Sequence, residues 1–182
     1  VLGINQGENL FVNEDGSFAM GGYVPAYIRR YPFVLASDEA QQRMVVCIER
    51  NAAIFVDKAV AHQPLFQDDG EPSEYTQNAI KFCEDFEAER RRTDAFLKLL
   101  NDLDLFEMRE TVFNVPKEDG TFDPVKLAVY YAVSEAKLNA LTPEQLAQLR
   151  DNGALEKIYN HLTSLIGWDR LIAIATDKAV LP

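Results

Sequence analysis

Residues 21 to 35 read GGYVPAYIRRYPFVL and set two guanidinium groups, Arg29 and Arg30, among Tyr23, Tyr27, Tyr31 and Phe33. Two uses fit that mixture. In the first, Tyr23, Tyr27 and Tyr31 line a groove, and Arg29 or Arg30 grips an anion or carboxylate by charge-assisted hydrogen bonds and ring stacking. In the second, the rings fill core space around a proline-bracketed turn and their hydroxyls reach backbone groups at the rim. Adjacent arginines in so short a turn cannot both face inward. At least one is therefore expected in solvent or beside an acid.

The other reactive side chains are sparse. The only histidines are His62 and His161, and the only cysteines are Cys47 and Cys83. A structural zinc site needs three or four such ligands close together, so no metal is expected. The acidic run Asp68-Asp69-Gly70-Glu71 lacks the alternating ligand spacing of a calcium loop. Gly3-Ile4-Asn5-Gln6-Gly7 has no following lysine and hydroxyl, so it is not a phosphate-binding loop. No Gly-x-Ser-x-Gly elbow occurs. Cys47 beside His62 would make a thiol–imidazole pair, but Cys47 lies in the apolar run MVVCI, where a thiolate is costly. Both cysteines are expected as buried free thiols in a reducing compartment, with one bridge between them left open. His161 reads as a packed or capping imidazole rather than a base.

Positioning these residues falls to an α+β fold: a mainly antiparallel sheet, one long amphipathic helix and a C-terminal helical tail. Residues 1–60 read as β-rich. ENLFV at 8–12 turns through Asn13-Glu14-Asp15-Gly16 to a partner strand over 17–23. PAYIRRY is one short helical turn, with Pro25 in its first turn, or else an edge strand. Residues 33–35 and 43–48 are strand candidates. The loop over 68–72 is the best candidate boundary. Ser73 then caps a helix over about 73–102, with Tyr75, Ala79, Phe82 and Phe86 spaced four, three and four apart. A hairpin over about 108–133 turns at Asp119-Gly120 and should pack one face and leave the other mixed. A helical tail over 142–178 carries a capping box at Thr142 to Gln145 and a stop at Gly153, with a break at Gly167. A single domain over 1–182 is expected.

The balance of 29 acidic against 18 basic residues, net −11, argues against general nucleic-acid or anionic-membrane binding, since both usually need a basic face. Glu89-Arg90-Arg91-Arg92 is the one dense basic run, and it is expected as a solvated helix face. No run reaches the ~18 apolar residues of a membrane span.

Several blocks together resemble the bacterial SapC family. They are Gly7-Glu8-Asn9-Leu10-Phe11-Val12, Tyr23 through Phe33, and Val46-Cys47-Ile48. In the tail come Glu135 through Leu141, Leu149 through Leu155, and Tyr159 through Leu165. Against that family the chain is expected to be N-terminally incomplete, since Val1-Leu2-Gly3 reads as the middle of an element. The resemblance implies association with a paracrystalline surface layer, or with halogenase-like and outer-membrane receptor systems. It carries no catalytic residue and no cofactor onto this sequence.

The functional expectation is a non-catalytic accessory or interaction protein. It would bind a protein or a small acidic ligand through Tyr23, Tyr27, Arg29, Arg30 and Tyr31, with homo-oligomerisation left open. The alternatives are a surface-layer structural protein, and a small enzyme or accessory acting with a halogenase-like system. The cytoplasm is the expected compartment, given free cysteines and no visible export signal; the cell surface is the alternative.

Overall fold

The computed structural model describes residues 2–5, 7–19, 21–38, 43–56, 63–117 and 120–177. The fold is α+β, and its described strands pair antiparallel. Among the described residues the strands form two two-stranded ribbons rather than one sheet. The elements are α1 (Ala26–Arg29), β1 (Phe33–Asp38), β2 (Arg43–Ile48), α2 (Glu74–Asp102), β3 (Phe106–Pro116) and β4 (Phe122–Val133). Four helices follow: α3 (Glu135–Asn139), α4 (Pro143–Asp151), α5 (Ala154–Ser164) and α6 (Gly167–Asp177). Contacts divide the chain into two compact units, Tyr23–Ala95 and Val1–Gly22 with Phe96–Pro182. The division does not fall in the acidic loop at 68–72. A bridge between Phe66 and Pro72 closes that loop, and the Ser73 N–H reaches the Leu65 carbonyl at 2.9 Å.

In the Tyr23–Ala95 unit, β1 and β2 pair with Phe33 opposite Ile48 and Val34 opposite Cys47. Phe33 turns inward and meets the edge of Tyr75 at 6.1 Å. Cys47 corrects the expectation of two buried thiols: both cysteines are free, Cys83 is buried and Cys47 is exposed. An apolar run in a two-stranded ribbon still has an outer face, and Cys47 lies on it beside the partly open Val34. Helix α2 starts as expected. The Ser73 hydroxyl accepts the Thr76 N–H at 3.3 Å, and the Thr76 hydroxyl donates to the Leu65 carbonyl at 2.7 Å.

In the second unit, the described residues between 2 and 22 do not form the expected strand pair. Their only described pairing is a single bridge between Val12 and Phe18. Polar side chains take the backbone donors that a ladder would use. The Glu8 carboxylate accepts the N–H groups of Ile4 and Asn5 at 3.1 and 3.2 Å. Asn9 takes that of Phe11 at 3.0 Å, and Asp15 that of Ser17 at 2.9 Å. A Cβ at Gly3 would collide with the Glu8 carbonyl, so this loop closes only around a glycine. Leu10 and Phe11 then pack with Trp168, Leu171 and Ala175.

The end of α2 is a helix-stop motif built without glycine. Asp104 sits at φ 51°, its N–H bonded to the Asn101 carbonyl and that of Leu105 to the Leu100 carbonyl, both at 3.0 Å. This wrap brings Leu105 back onto Leu100, and both are fully buried with Val133, Leu138, Leu149 and Ile158. Thr142 and Gln145 form the expected reciprocal cap of α4, and Gly153 turns the chain at φ 73°.

The β3–β4 ribbon has a register shift between Thr111 and Val112. Thr111 pairs with Ala128 and Val112 with Lys126, leaving Leu127 as the extra residue. The bulge flips the alternation of β4. Val125 turns inward on one side of it and Tyr130 and Ala132 on the other, while Val129 and Tyr131 are left exposed. The run Val125, Leu127, Val129, Tyr131 is therefore not one face.

His161 on α5 joins this ribbon: its Nε2 accepts the Val133 N–H at 3.2 Å. Burial, with the Arg109 guanidinium adding to it, pushes the imidazole below its ordinary value of 6.5. The folded chain thus binds fewer protons here than the unfolded one, which protonates first as pH falls. The contribution of a neutral His161 is whole above about pH 6.5 and shrinks on acidification through the folded pKa. Denaturant titrations at pH 7 and pH 5 should show wild type losing more stability than His161→Gln, which keeps an acceptor. Equal losses would refute the assignment. At neutral pH, Ile158→Ala should cost about 2–5 kcal/mol, read from the urea midpoint. Tyr159→Ala, on the exposed side of the same helix, should cost far less.

Candidate functional site

Pro25 fixes the entry to α1. Its carbonyl accepts the N–H groups of Ile28 and Arg29 at 2.9 and 3.0 Å, and Pro25 occupies the cap position just before the helix. The turn closes with the Phe33 N–H on the Arg30 carbonyl at 2.7 Å and a cis bond between Tyr31 and Pro32. The Glu49 N–H on the Pro32 carbonyl, at 2.9 Å, ties it to the end of β2. PAYIRRY is thus a helical turn and not an edge strand.

This turn delivers the two arginines to four aromatic rings. The Arg29 guanidinium lies 5.6 Å from the centre of Tyr23 and 5.3 Å from that of Phe82. The Arg30 guanidinium lies 4.5 Å from Tyr27 and 4.7 Å from Phe86. Arg29 also donates to the Tyr23 hydroxyl at 3.3 Å. Each cation–ring contact is worth roughly 0.5–1 kcal/mol where exposed, and about 2 where water is excluded. Arg29 stays exposed, as a tight turn requires, while Arg30 is half-buried. Among the described residues neither guanidinium has a carboxylate partner. The rings, not an acid, occupy the flanks of the charges.

The tyrosines do not fill a core. Tyr23 is 70%, Tyr27 67% and Tyr31 55% exposed, and Phe33 alone of the segment's rings is buried. Tyr27, Arg30 and Tyr31 border a groove of about 500 Å³ with Pro32, Val34 and Ile48, and Glu49 stands on the same border. The fold therefore joins Tyr23 to Arg29 and Tyr27 to Arg30, and sets Tyr31 beside Arg30 without a ring contact to it. Phe82 and Phe86 were legible only as a helical stripe. Their spacing of four matches adjacent arginines, but nothing in the sequence says that a turn more than 50 residues earlier lies over them.

Beneath Arg30 is the buried Cys83. Burial raises its pKa while Arg30 pulls the other way, so the thiol is held protonated. His62 lies outside the described residues, and so does any pairing of it with Cys47. No group of three His, Cys, Asp or Glu side chains among the described residues is placed to share a metal ion. The basic run is neutralised within α2. Arg90 meets Glu87 and Asp94 at 2.7 Å, Arg91 meets Glu87 at 3.3 Å, and Arg92 pairs with Glu89. The two guanidinium groups, Arg90 first, hold the Glu87 carboxyl down at about 2.

A second concavity lies within the other unit. It has a volume of about 580 Å³ and is lined mainly by apolar side chains from the N-terminal loop, β4, α5 and α6. Tyr130 and Trp168 form one wall, 5.4 Å apart and tilted by 32°, and His161 and Arg170 also border it. The sequence held no spacing signal for this cleft, because its walls come from four separate elements.

Among the described residues no helix is long and apolar enough to cross a membrane. No curated protein and no solved structure matches the chain. The family model for SapC matches residues 1–171, across both compact units, and the chain belongs to the SapC family.

Proposed function

We propose that this protein is a non-catalytic interaction protein that binds an acidic segment of a partner through the face formed by Tyr23, Tyr27, Arg29, Arg30 and Tyr31. The observation that carries the reading is the state of the two arginines. Each is held against two rings and, among the described residues, lacks a counter-ion. A stacked guanidinium keeps its charge and its in-plane N–H donors, so it is preorganised for a carboxylate rather than satisfied by one. The flanking tyrosines offer large, stiff contact area, and Tyr and Arg dominate the energetics of protein interfaces. In a chain of net charge −11, an unpaired cationic pair also marks where an acidic partner meets least repulsion. Glu49 on the groove border limits how far along it a carboxylate can travel. The partner's acids are accordingly placed on the Arg29 and Arg30 end, and its apolar groups along Pro32 and Ile48.

The test is capture from native cells on immobilised wild type and on the Arg29→Gln/Arg30→Gln double variant. Removal of both charges should weaken retention of the partner by at least about thirtyfold, near 2 kcal/mol. Retention by wild type should fall as salt rises. Tyr27→Ala should give an intermediate loss. If the double variant, with its unfolding midpoint unchanged, holds every captured protein as firmly as wild type, the proposal is wrong.

A further inference from the structure

The cleft in the unit built from residues 1–22 and 96–182 shares no residue with the Tyr23–Tyr31 face. Its volume, about 580 Å³, lies in the range of roughly 300–1,000 Å³ typical of small-molecule sites. Ile4, Phe11, Leu127, Leu165 and Leu171 give it an apolar floor, with Trp168 as a flat wall. Its charge is the unexpected part. No Asp or Glu is among the described residues that line it, although acids outnumber bases 29 to 18 in the chain. Arg170, the one arginine or lysine among the described residues that line it, is exposed and has no carboxylate partner among the described residues.

His161 adds a neutral donor. Its Nε2 is committed to the Val133 N–H, so the ring proton resides on Nδ1. An apolar body, one cation and one neutral donor select against a cation and against a polyanion. We propose that this cleft binds a small amphipathic monoanion, an organic carboxylate with an apolar body, whose carboxylate is met by Arg170 and whose body lies against Trp168. The charge-assisted contact supplies orientation, and burial of the body supplies most of the affinity.

Trp168 is the only tryptophan in the chain, so its emission reports occupancy of the cleft directly. Decanoate, decanol and decyltrimethylammonium share one apolar body and differ in the head group. Titrated into the full chain, decanoate should give a saturable change, with a Kd at least tenfold below that of decyltrimethylammonium and below that of decanol. Arg170→Gln should raise the decanoate Kd at least fivefold and leave decanol unchanged. Gly167→Leu provides a second variant. A Cβ there meets no atom within 4 Å, so the added side chain occupies open space on the cleft border and should weaken all three probes. The proposal is overturned by any of three results: no saturable change with decanoate, equal Kd for the three head groups, or an Arg170→Gln variant with an unaltered decanoate preference.

Discussion

A guanidinium leaves water at a high cost unless something replaces its hydration, and an acid is the usual replacement. Arg30, half-buried, and Arg29, still exposed, are flanked by rings instead. Phe82 and Phe86 must stand one turn apart on α2 to face Arg29, the last residue of α1, and Arg30, which caps it. The turn must be tight, which the Pro25 cap and the closing bond from Phe33 to Arg30 achieve. Ring faces attract the cation without neutralising it, so the charge remains available to a third party. An ion pair in the same place would have satisfied the arginines and ended their usefulness as a contact surface.

The other unit depends on a different kind of closure. Its centre is the reversal at Asp104, where two backbone bonds return Leu105 to Leu100 and start β3 against the helix that precedes it. Lys137 reinforces the corner by reaching the Asp104 carboxylate at 3.1 Å and the Phe106 carbonyl at 2.8 Å. A non-glycine residue in left-handed geometry is disfavoured by roughly 1–2 kcal/mol, less for Asp than for most, and the local bonds offset it. From that corner the ribbon runs out to the bulge at Leu127, and α5 and α6 complete the apolar cleft.

The parts of the fold legible in the sequence were those decided by neighbours in the chain. The stripe of Tyr75, Phe82 and Phe86 gave α2, Thr142 with Gln145 gave the cap of α4, and the Phe122–Val133 run gave β4. What escaped was decided by competition or by distance. ENLFV has strand composition, but Asn9 takes the Phe11 N–H, Asp15 takes that of Ser17 in the expected partner strand, and Glu8 turns its carboxylate to Ile4 and Asn5. MVVCI looks buried, yet a two-stranded ribbon leaves Cys47 in the open. The arginines and tyrosines of the candidate face could be named from their type. Their aromatic partners on α2 could not, since a stripe of phenylalanines reads the same whether it meets leucine or arginine. The cleft beside Trp168 left no trace, because its walls are drawn from four stretches with nothing in common but position.

The three arginines at 90 to 92 face three acids of their own helix, Glu87, Glu89 and Asp94. Such a patch is a set of short dipoles, and its field dies away faster with distance than that of a bare charge. Beyond a screening length of about 8 Å in physiological salt, an approaching molecule senses almost nothing of it. The densest cluster of positive residues in the chain is therefore electrically quiet, and a sequence-based count of positive charge would look for attraction in the wrong place.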